Sequence, residues 1–448
     1  MKKITTPIYD FVSEYIDRGY TRLHMPGHKG RGPLGCEERD ITEIGGADVL
    51  YSPSGIIQES EDNASLLFDT HHTYYSTEGS SLAIRAMLMA ALKGRKSDTP
   101  PLILAARNAH KSFLYSVALL DIEVEWLYPE GECYYLGGIY TKDSVRAALE
   151  EMKERPFAVY LTSPDYLGNI ADVEGISEVL REYDIPLLVD NAHGAYLAFL
   201  DNSLHPVSLG AAMCTDSAHK TLPVLTGGAY LHLSKKWQKY APYIRESFSI
   251  FSSTSPSYLI LQSLDLCNKT LSIDYRERLS ECIGYIEELK ADLKKNGTPA
   301  EDTEPLKITL CGSVFGRTGY EICDILLSND IVPEFADESY VVLMISPSNT
   351  QEEIERLGEV LLSIPVSKKN EEKHLALQKA QRVLSVREAL FSAGESIPTE
   401  SAVGRICQDP SVSCPPAVPI AVSGERISED MTELFLKYGI EYISVIKE

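Results

Sequence analysis

The sequence predicts an α/β protein built on a mostly parallel, doubly wound sheet with helices on both faces. Three observations carry this prediction. Short apolar runs recur through the first half of the chain, helical stretches separate most of them, and several runs end in polar or charged residues. Strands that are buried on both faces are continuous apolar runs, and their alternation with helices is typical of parallel sheets.

Six apolar runs are predicted strands: Pro101–Arg107, Ile122–Tyr128, Phe157–Pro164, Ile185–Asp190, Ala211–Ser217 and Gly228–Leu233. The run KSFLYSVALL after the first of them has the spacing of a helix. Ligands of doubly wound sheets bind beyond the carboxyl ends of the strands. Because Asp190 and Lys220 stand at such ends, the sequence predicts a ligand beside them.

The second half of the chain begins with a long helical region from about Ser257, and Gly297 is expected to terminate it. The segment from Leu306 to Pro365 indicates a small α/β domain. The polar run Lys368–His374 indicates a linker, and a short helix and strand end the chain. We expect an N-terminal arm and large domain over 1–265, a linking helix and small α/β domain over 266–366, and a C-terminal domain over 367–448.

Composition narrows the class of protein. A chain of 448 residues is too long for one ordinary core, and no apolar stretch or N-terminal signal indicates a membrane or an export route. The net charge of −23 argues against nucleic acid or an anionic membrane as a partner, and is compatible with a cationic substrate. Nine scattered cysteines indicate reduced thiols, so we expect a cytoplasmic protein.

Several polar residues stand where a ligand site is expected. Gly79, Ser80 and Ser81 open an apolar-periodic helix, where backbone N–H groups and hydroxyls bind anions, although a plain helix cap is the alternative. His110 directly follows a predicted strand, where it could face a ligand. The alternative is that it is a structural histidine. Asp190 is costly to bury without a positive partner, unless it caps the next helix.

These residues together suit one cofactor. Pyridoxal phosphate requires a lysine amine for its aldehyde, a carboxylate for its ring nitrogen and donors for its phosphate. Lys220 has Ser217 and His219 beside it, and Asp190 precedes it by about thirty residues. The sequence therefore predicts a pyridoxal-phosphate site at one edge of the sheet. No metal site is predicted.

Several motifs resemble the ornithine/lysine/arginine decarboxylases: LHMPGHKGRG, DITEIGGADVL, NAHKS, TSPDYLG, DNAHGAY, DSAHKTLPVLTGGAYLHL and STSPSYLILQSLD. The resemblance runs from about Tyr20 to Asp265 and returns at CPPAVPIAVSGERI. It implies the fold of aspartate aminotransferase, called fold type I. It also implies the short form of the family, which lacks the N-terminal wing domain.

The resemblance implies roles for individual residues. Lys220 would bind the cofactor aldehyde covalently, Asp190 would pair with the ring nitrogen and His110 would stack on the ring. The residues implied for the phosphate are Gly79, Ser80, Ser81, Ser217 and His219. Either Lys220 or His219 would return a proton to the substrate's α-carbon.

Further positions follow from the same resemblance. Ala192 would pack under the ring and His193 would lie near the cofactor. The stretch Ser253–Tyr258 would reach a neighbouring subunit's site. The resemblance therefore implies a homodimer or a larger homo-oligomer with shared active sites.

The implied activity is decarboxylation of arginine, lysine or ornithine to the amine used in polyamine biosynthesis, with release of CO2. A cationic substrate tail requires an acidic partner, for which Asp165, Glu334 and Glu425 are candidates and surface carboxylates the alternative. The chain departs from the family at EGSS, where a threonine is usual, at His193, where larger enzymes have tryptophan, and at Ser423–Glu425, where relatives have PGE. The substrate's identity is therefore left open.

Two other functions are compatible with this sequence. The first is another fold type I enzyme, an aminotransferase or an aldolase. Aminotransferases hold the substrate carboxylate with an arginine of the small domain, and the context of Arg317 does not identify it as such a residue. The second is a catalytically silent binding protein, against which the intact Lys220, Asp190 and His110 argue.

Overall fold

The computed structural model of the protein describes residues 3–95, 99–129, 138–366, 379–410 and 419–447. The predicted linker Lys368–His374 and the first part of the CPPAVPIAVSGERI motif lie outside the described residues. The chain forms two compact units, one of Met1–Thr99, Phe157–Tyr160 and Ser177–Arg276, the other of Pro100–Pro156, Leu161–Ile176 and Glu277–Glu448. The domain boundaries expected from the sequence stay a prediction.

Fourteen α-helices are described: α1 Pro7–Asp17, α2 Ile56–Leu67, α3 Gly79–Lys93, α4 Lys111–Leu120, α5 Lys142–Glu151, α6 Val173–Glu182, α7 Ala218–Thr221, α8 Ala241–Phe251, α9 Tyr258–Ile273, α10 Tyr275–Lys295, α11 Gly319–Ser328, α12 Gln351–Ser363, α13 Val386–Phe391 and α14 Glu429–Lys437. The described strands are β1 His72–Ser76, β2 Leu102–Ala106, β3 Glu123–Leu127, β4 Ala158–Thr162, β5 Leu187–Asp190, β6 Met213–Asp216, β7 Ala229–Leu233, β8 Lys307–Cys311, β9 Phe335–Ala336, β10 Tyr340–Met344, β11 Gly394–Pro398, β12 Cys407–Asp409 and β13 Tyr442–Ile446.

The largest sheet has seven strands in the order β1-β7-β6-β5-β4-β2-β3. β5 pairs parallel with β6 and β2 with β3, whereas β7 is antiparallel to both β6 and β1. This mostly parallel sheet among helices confirms the predicted fold class. All six predicted strands are present within their predicted ranges.

The apolar runs become strands because they are buried along their whole length. Every residue of β5, β6 and β7 is buried, which removes the need for a polar face. β1 was not predicted. Its sequence, HTYYS, carries polar atoms at every position and forms a strand because β7 supplies its backbone partners.

The second unit holds two small antiparallel sheets, of order β8-β10-β9 and β11-β13-β12. Helices α11 and α12 begin at capping boxes, formed by Thr318 with Glu321 and by Thr350 with Glu353. The predicted long helical region is two helices, α9 and α10. Gly297 follows α10 with a φ of 83°, as expected of a helix terminator.

Two expectations from composition were reduced cysteines and the lack of a membrane-spanning segment. The seven described cysteines are free thiols. Among the residues that the structure describes, no helix combines the length and the apolar character needed to cross a bilayer.

Candidate active site

The first compact unit brings the ends of β5 and β6 together. The two strands are parallel neighbours, and the Cα of Asp190 pairs with that of Thr215. A hydrogen bond of 2.9 Å from the Asn191 N–H to the Thr215 carbonyl extends the pairing by one residue. The turn after β5 and the turn after β6 therefore lie side by side at one edge of the sheet, where doubly wound folds bind ligands.

Lys220 lies in the one-turn helix α7 that follows β6. Its Nζ lies 2.9 Å from Nε2 of His193, which belongs to the turn after β5. The Lys220 side chain is exposed, whereas His193 is buried. An ammonium group can only donate, so Nε2 of His193 accepts and its Nδ1 carries the proton. His193 therefore orients the lysine amine.

Asp190 ends β5 and is only 2% exposed. Its carboxylate accepts two long hydrogen bonds, 3.2 Å from the Ala192 N–H and 3.3 Å from the Tyr160 hydroxyl. Burial raises the pKa of Asp190 to about 6, against the opposing effect of the Lys220 charge. This carboxylate is thus buried with little compensation for its negative charge.

The predicted anion site combines a helix start with two hydroxyls. Ser217, at the end of β6, donates a hydrogen bond of 2.9 Å to Oγ of Ser80 in the first turn of α3. Gly79 has a φ of 72°, which a side chain would disfavour, and a Cβ added there would meet no protein atom within 4 Å. Ser81 is the third residue of the same helix. Space and hydroxyls therefore coincide at a helix N-terminus, where anions bind.

His219 is neutral and has a defined tautomer. Its Nδ1 lies 3.1 Å from the carbonyl oxygen of Gly228, and a carbonyl can only accept, so Nδ1 carries the proton. Burial lowers the pKa of His219, and the nearby Lys220 charge lowers it further. At neutral pH its only N–H is therefore committed to the backbone.

His110 lies in the second compact unit, at the N-cap of α4. Its Nδ1 accepts hydrogen bonds of 3.2 Å from the Ser112 N–H and 2.9 Å from the Ser112 hydroxyl. The structural role considered for this histidine is therefore present. Its stacking on a cofactor ring stays a prediction.

Two residues of this site were missed from the sequence. Tyr160 lies in the middle of β4 and binds Asp190. Thr215 is buried beside Asp190, and its hydroxyl has no hydrogen-bond partner among the described residues. The signal for Tyr160 was a phenol inside an apolar run, since a buried hydroxyl requires a partner.

The three carboxylates considered for a substrate tail have different surroundings. Glu425 binds Arg107 through two contacts of 2.6 and 2.7 Å, and both side chains are buried. Asp165 accepts from two amides of its own loop at 2.9 Å, and burial raises its pKa. Glu334 is exposed and accepts from the Tyr166 hydroxyl at 3.2 Å. Glu425 is thus committed to Arg107 and is unsuited to the predicted role.

The stretch Ser253–Tyr258, predicted to reach a neighbouring subunit, has a buried part and an exposed part. Tyr258 is fully buried in its own chain, and its hydroxyl donates to the Ala47 carbonyl at 2.9 Å. The side chains of Ser253, Thr254 and Ser255 are exposed. Only this exposed part is open to a second chain, and the contact itself stays a prediction.

Solved structures with the same architecture define the class of fold. The lysine decarboxylase LdcF of Francisella novicida is 17% identical, with a TM-score of 0.82 over 99% of this chain and 81% of that one. An alanine–glyoxylate aminotransferase of Nostoc is 15% identical, with a TM-score of 0.54 over 69% of this chain and 86% of that one. At these identities the likeness shows the fold alone, which is fold type I as predicted.

Sequence comparison identifies the family. Residues 6–311 match the family model described as the Orn/Lys/Arg decarboxylase major domain, and the chain belongs to that family. It is 31% identical to an arginine decarboxylase of Bacillus anthracis, over 98% of this chain and 94% of the relative. It is 30% identical to the uncharacterized protein YaaO of Bacillus subtilis, over 96% and 93%. The constitutive lysine decarboxylase of Escherichia coli is 26% identical, over 59% of this chain and 40% of the relative.

Proposed function

We propose that the protein removes the carboxylate of a basic amino acid as CO2, with pyridoxal phosphate held at Lys220, and releases the corresponding amine. Family membership supports the reaction class. Arginine is the first substrate to test, because relatives named arginine decarboxylase match nearly the whole chain. The relative named constitutive lysine decarboxylase matches 59% of it.

One observation carries this proposal: a buried, poorly compensated carboxylate stands beside a lysine amine at the edge of the sheet. The residues present fit pyridoxal phosphate at three points. Lys220 offers an amine to the aldehyde, and the start of α3 offers an anion site to the phosphate. Asp190 makes no ion-pair contact with a described residue, and a protonated ring nitrogen would supply one.

The chemistry divides between the cofactor and the chain. When bound, pyridoxal phosphate supplies an electron-withdrawing ring that takes up the electron pair left by departing CO2. The negative charge of Asp190 would keep a proton on the ring nitrogen, since opposite charges at short range favour each other's ionised form. His193 would orient Lys220, while Ser80 and Ser217 would hold the anionic end of the cofactor.

The geometry favours Lys220 over His219 as the group that returns a proton to the α-carbon. The single N–H of neutral His219 binds the Gly228 carbonyl, and its lowered pKa disfavours a second proton. The Lys220 amine is held by His193, carries donors and belongs to an exposed side chain. A homo-oligomer with shared sites, a cytoplasmic location and a place in polyamine biosynthesis belong to the same proposal and rest on the family resemblance.

The test uses the purified protein supplied with pyridoxal phosphate and, separately, with arginine, lysine and ornithine. We expect a visible absorbance band of the bound cofactor, CO2 release and the amine of one of the three substrates by mass spectrometry. Lys220→Ala should abolish both the band and turnover. Lys235→Ala, at an exposed surface lysine, is the matched control and should preserve both.

Three results would contradict the proposal. Turnover by Lys220→Ala would reject the assignment of the lysine. A keto acid in place of CO2 and amine would indicate an aminotransferase. A bound cofactor without product from any of the three amino acids would indicate a silent binding protein.

A further inference from the structure

A buried polar cluster lies next to the site and takes no part in the mechanism described above. Asp216 ends β6, and its Oδ2 lies 3.1 Å from Nε2 of both His205 and His232. Its Oδ1 accepts a hydrogen bond of 2.7 Å from the Asn191 side chain. All four residues are fully buried. We call Asn191, His205, Asp216 and His232 the Asp216 anchor.

The anchor lies on the face of the sheet opposite to the Asp190 carboxylate. Successive side chains of a strand point to opposite faces, and Asp190 is aligned with Thr215. Asp216, the next residue, therefore points to the other face. Because Asn191 directly follows Asp190 and Asp216 directly precedes Ser217, their hydrogen bond joins the two turns of the site from behind.

The anchor also reaches a third strand. His232 belongs to β7, and its Nδ1 lies 2.9 Å from the Thr73 hydroxyl of β1. His205 comes from the chain between β5 and β6. One carboxylate thus collects a donor from the neighbouring strand β7 and two donors from the segment that connects β5 to β6. The strand end that leads to Lys220 is therefore held at a fixed place.

We propose, on the basis of the proposed function, that the Asp216 anchor is a positioning device that sets the distance between the Asp190 carboxylate and the Lys220 amine. Through that distance, it sets how well the site binds pyridoxal phosphate and how fast it turns over. None of the four anchor residues is among those assigned above to the cofactor or the substrate.

The electrostatics of the cluster support a permanent anchor. Burial alone would raise the pKa of Asp216, but His205 and His232 outweigh it and hold the pKa well below its usual range. Burial lowers the pKa of His232, against the effect of Asp216. The carboxylate therefore stays ionised at any working pH, and its hydrogen bonds are charge-assisted and strong.

The experiment compares His232→Leu, which removes the donor, with His232→Gln, whose side-chain amide can replace it. The readouts are the dissociation constant of pyridoxal phosphate for the cofactor-free protein, and kcat and KM. We expect His232→Leu to weaken cofactor binding about tenfold and to lower kcat about tenfold, with KM within about twofold. Each tenfold change corresponds to about 1.4 kcal/mol. His232→Gln should recover most of both.

His72 provides a matched control. Its Nε2 also lies near a buried carboxylate, 3.2 Å from Glu61, but it begins β1 at the end of the sheet away from the site, opposite Leu233. His72→Leu should lower the thermal unfolding midpoint, as His232→Leu does. It should leave the dissociation constant of pyridoxal phosphate within about twofold of the wild-type value.

Two outcomes would overturn the anchor. In the first, His232→Leu behaves as His72→Leu does and loses only stability. In the second, elemental analysis finds a divalent metal at about one ion per chain that His232→Leu no longer holds, since His205, Asp216 and His232 could also ligate a metal. Wild-type protein that binds the cofactor but decarboxylates nothing would reject the proposed function alone, because the cofactor's dissociation constant still tests the anchor. Wild-type protein that takes up no cofactor would reject both.

Discussion

Asp190 is buried with two long hydrogen bonds and, among the described residues, no ion-pair contact; the nearby Lys220 charge only partly offsets the effect of burial. A protein tolerates such a group when a ligand supplies the missing charge, and strongly perturbed carboxylates are therefore common at functional sites. In the cofactor-free protein, the buried charge of Asp190 lowers the free energy of unfolding. This destabilisation depends on pH and can be measured.

We predict that Asp190→Asn stabilises the cofactor-free protein at about pH 8 and has little effect near pH 4. The folded-state pKa is about 6 and the unfolded value is 3.8, so folding favours the protonated acid. The contribution of the Asp190 carboxyl to the free energy of unfolding is fully present below the unfolded pKa and is lost as pH rises through about 6. Above pH 6 the free energy of unfolding is lower by about 3 kcal/mol, at about 1.4 kcal/mol for each unit of pKa.

Urea unfolding of the wild type and of Asp190→Asn at the two pH values measures this difference. Asp201→Asn, at an exposed position, is the control and should show no such dependence on pH. If Asp190→Asn were no more stable than the wild type at the higher pH, the carboxylate would have compensation that the structure does not show. With pyridoxal phosphate bound the order should reverse, because the variant lacks the charge that is proposed to pair with the ring nitrogen.

At the scale of elements, one carboxylate joins three helices. Oδ2 of Asp265 in α9 accepts from the N–H groups of Ile8 and Tyr9 at 2.9 and 3.0 Å, in the first turn of α1. Oδ1 accepts from the Ser60 hydroxyl of α2 at 2.6 Å. Thr6, the N-cap of α1, makes no side-chain cap of its own. A residue distant in sequence therefore performs the capping role.

We predict that Asp265→Ala lowers the free energy of unfolding by about 1–3 kcal/mol, the cost of leaving buried donors unpaired. Amide hydrogen exchange should accelerate first in α1, which loses its cap. Lys269→Ala, at an exposed position of the same helix, is the control and should change neither quantity. Unchanged exchange in α1 would show that packing alone holds this helix.

At the same scale, the pairing of Glu425 with Arg107 explains why Glu425 is unsuited to bind a substrate tail. Arg107 follows β2 and is fully buried, and a buried guanidinium requires a carboxylate in good geometry. Glu425 supplies it with both oxygens. The SGE motif in this chain therefore has a structural role within the second unit.

At the scale of the whole molecule, binding of the cofactor should increase the stability of the folded protein. The proposed site draws on β5, β6, α3 and α7, so a ligand bound there connects segments that are separated along the chain. A ligand that binds only the folded state stabilises it by about 2.7 kcal/mol at a hundred times its dissociation constant. We predict that dialysis against a buffer without pyridoxal phosphate lowers the thermal unfolding midpoint, and that the cofactor restores it.

Scanning calorimetry with and without pyridoxal phosphate measures this shift. Lys220→Ala should lose most of it, whereas Lys235→Ala should keep it. An equal midpoint with and without the cofactor in the wild type would contradict a site that joins these segments.

The sequence by itself determined the family, the fold class, six of the seven strands of the main sheet and the segments that carry Lys220, Asp190, Ser217 and the start of α3. These features depend on local patterns: apolar runs, helix starts and motifs, each contained in a few neighbouring residues. They are therefore readable before the chain is folded.

Only the tertiary structure decided which polar groups meet. The partnership of Tyr160 with Asp190, the pairing of Arg107 with Glu425 and the convergence of His205 and His232 on Asp216 join residues that are distant in sequence or on different strands. The order and register of strands set these contacts, and burial then makes each one obligatory, because a polar group without water requires a partner. No local pattern in the sequence carries that information.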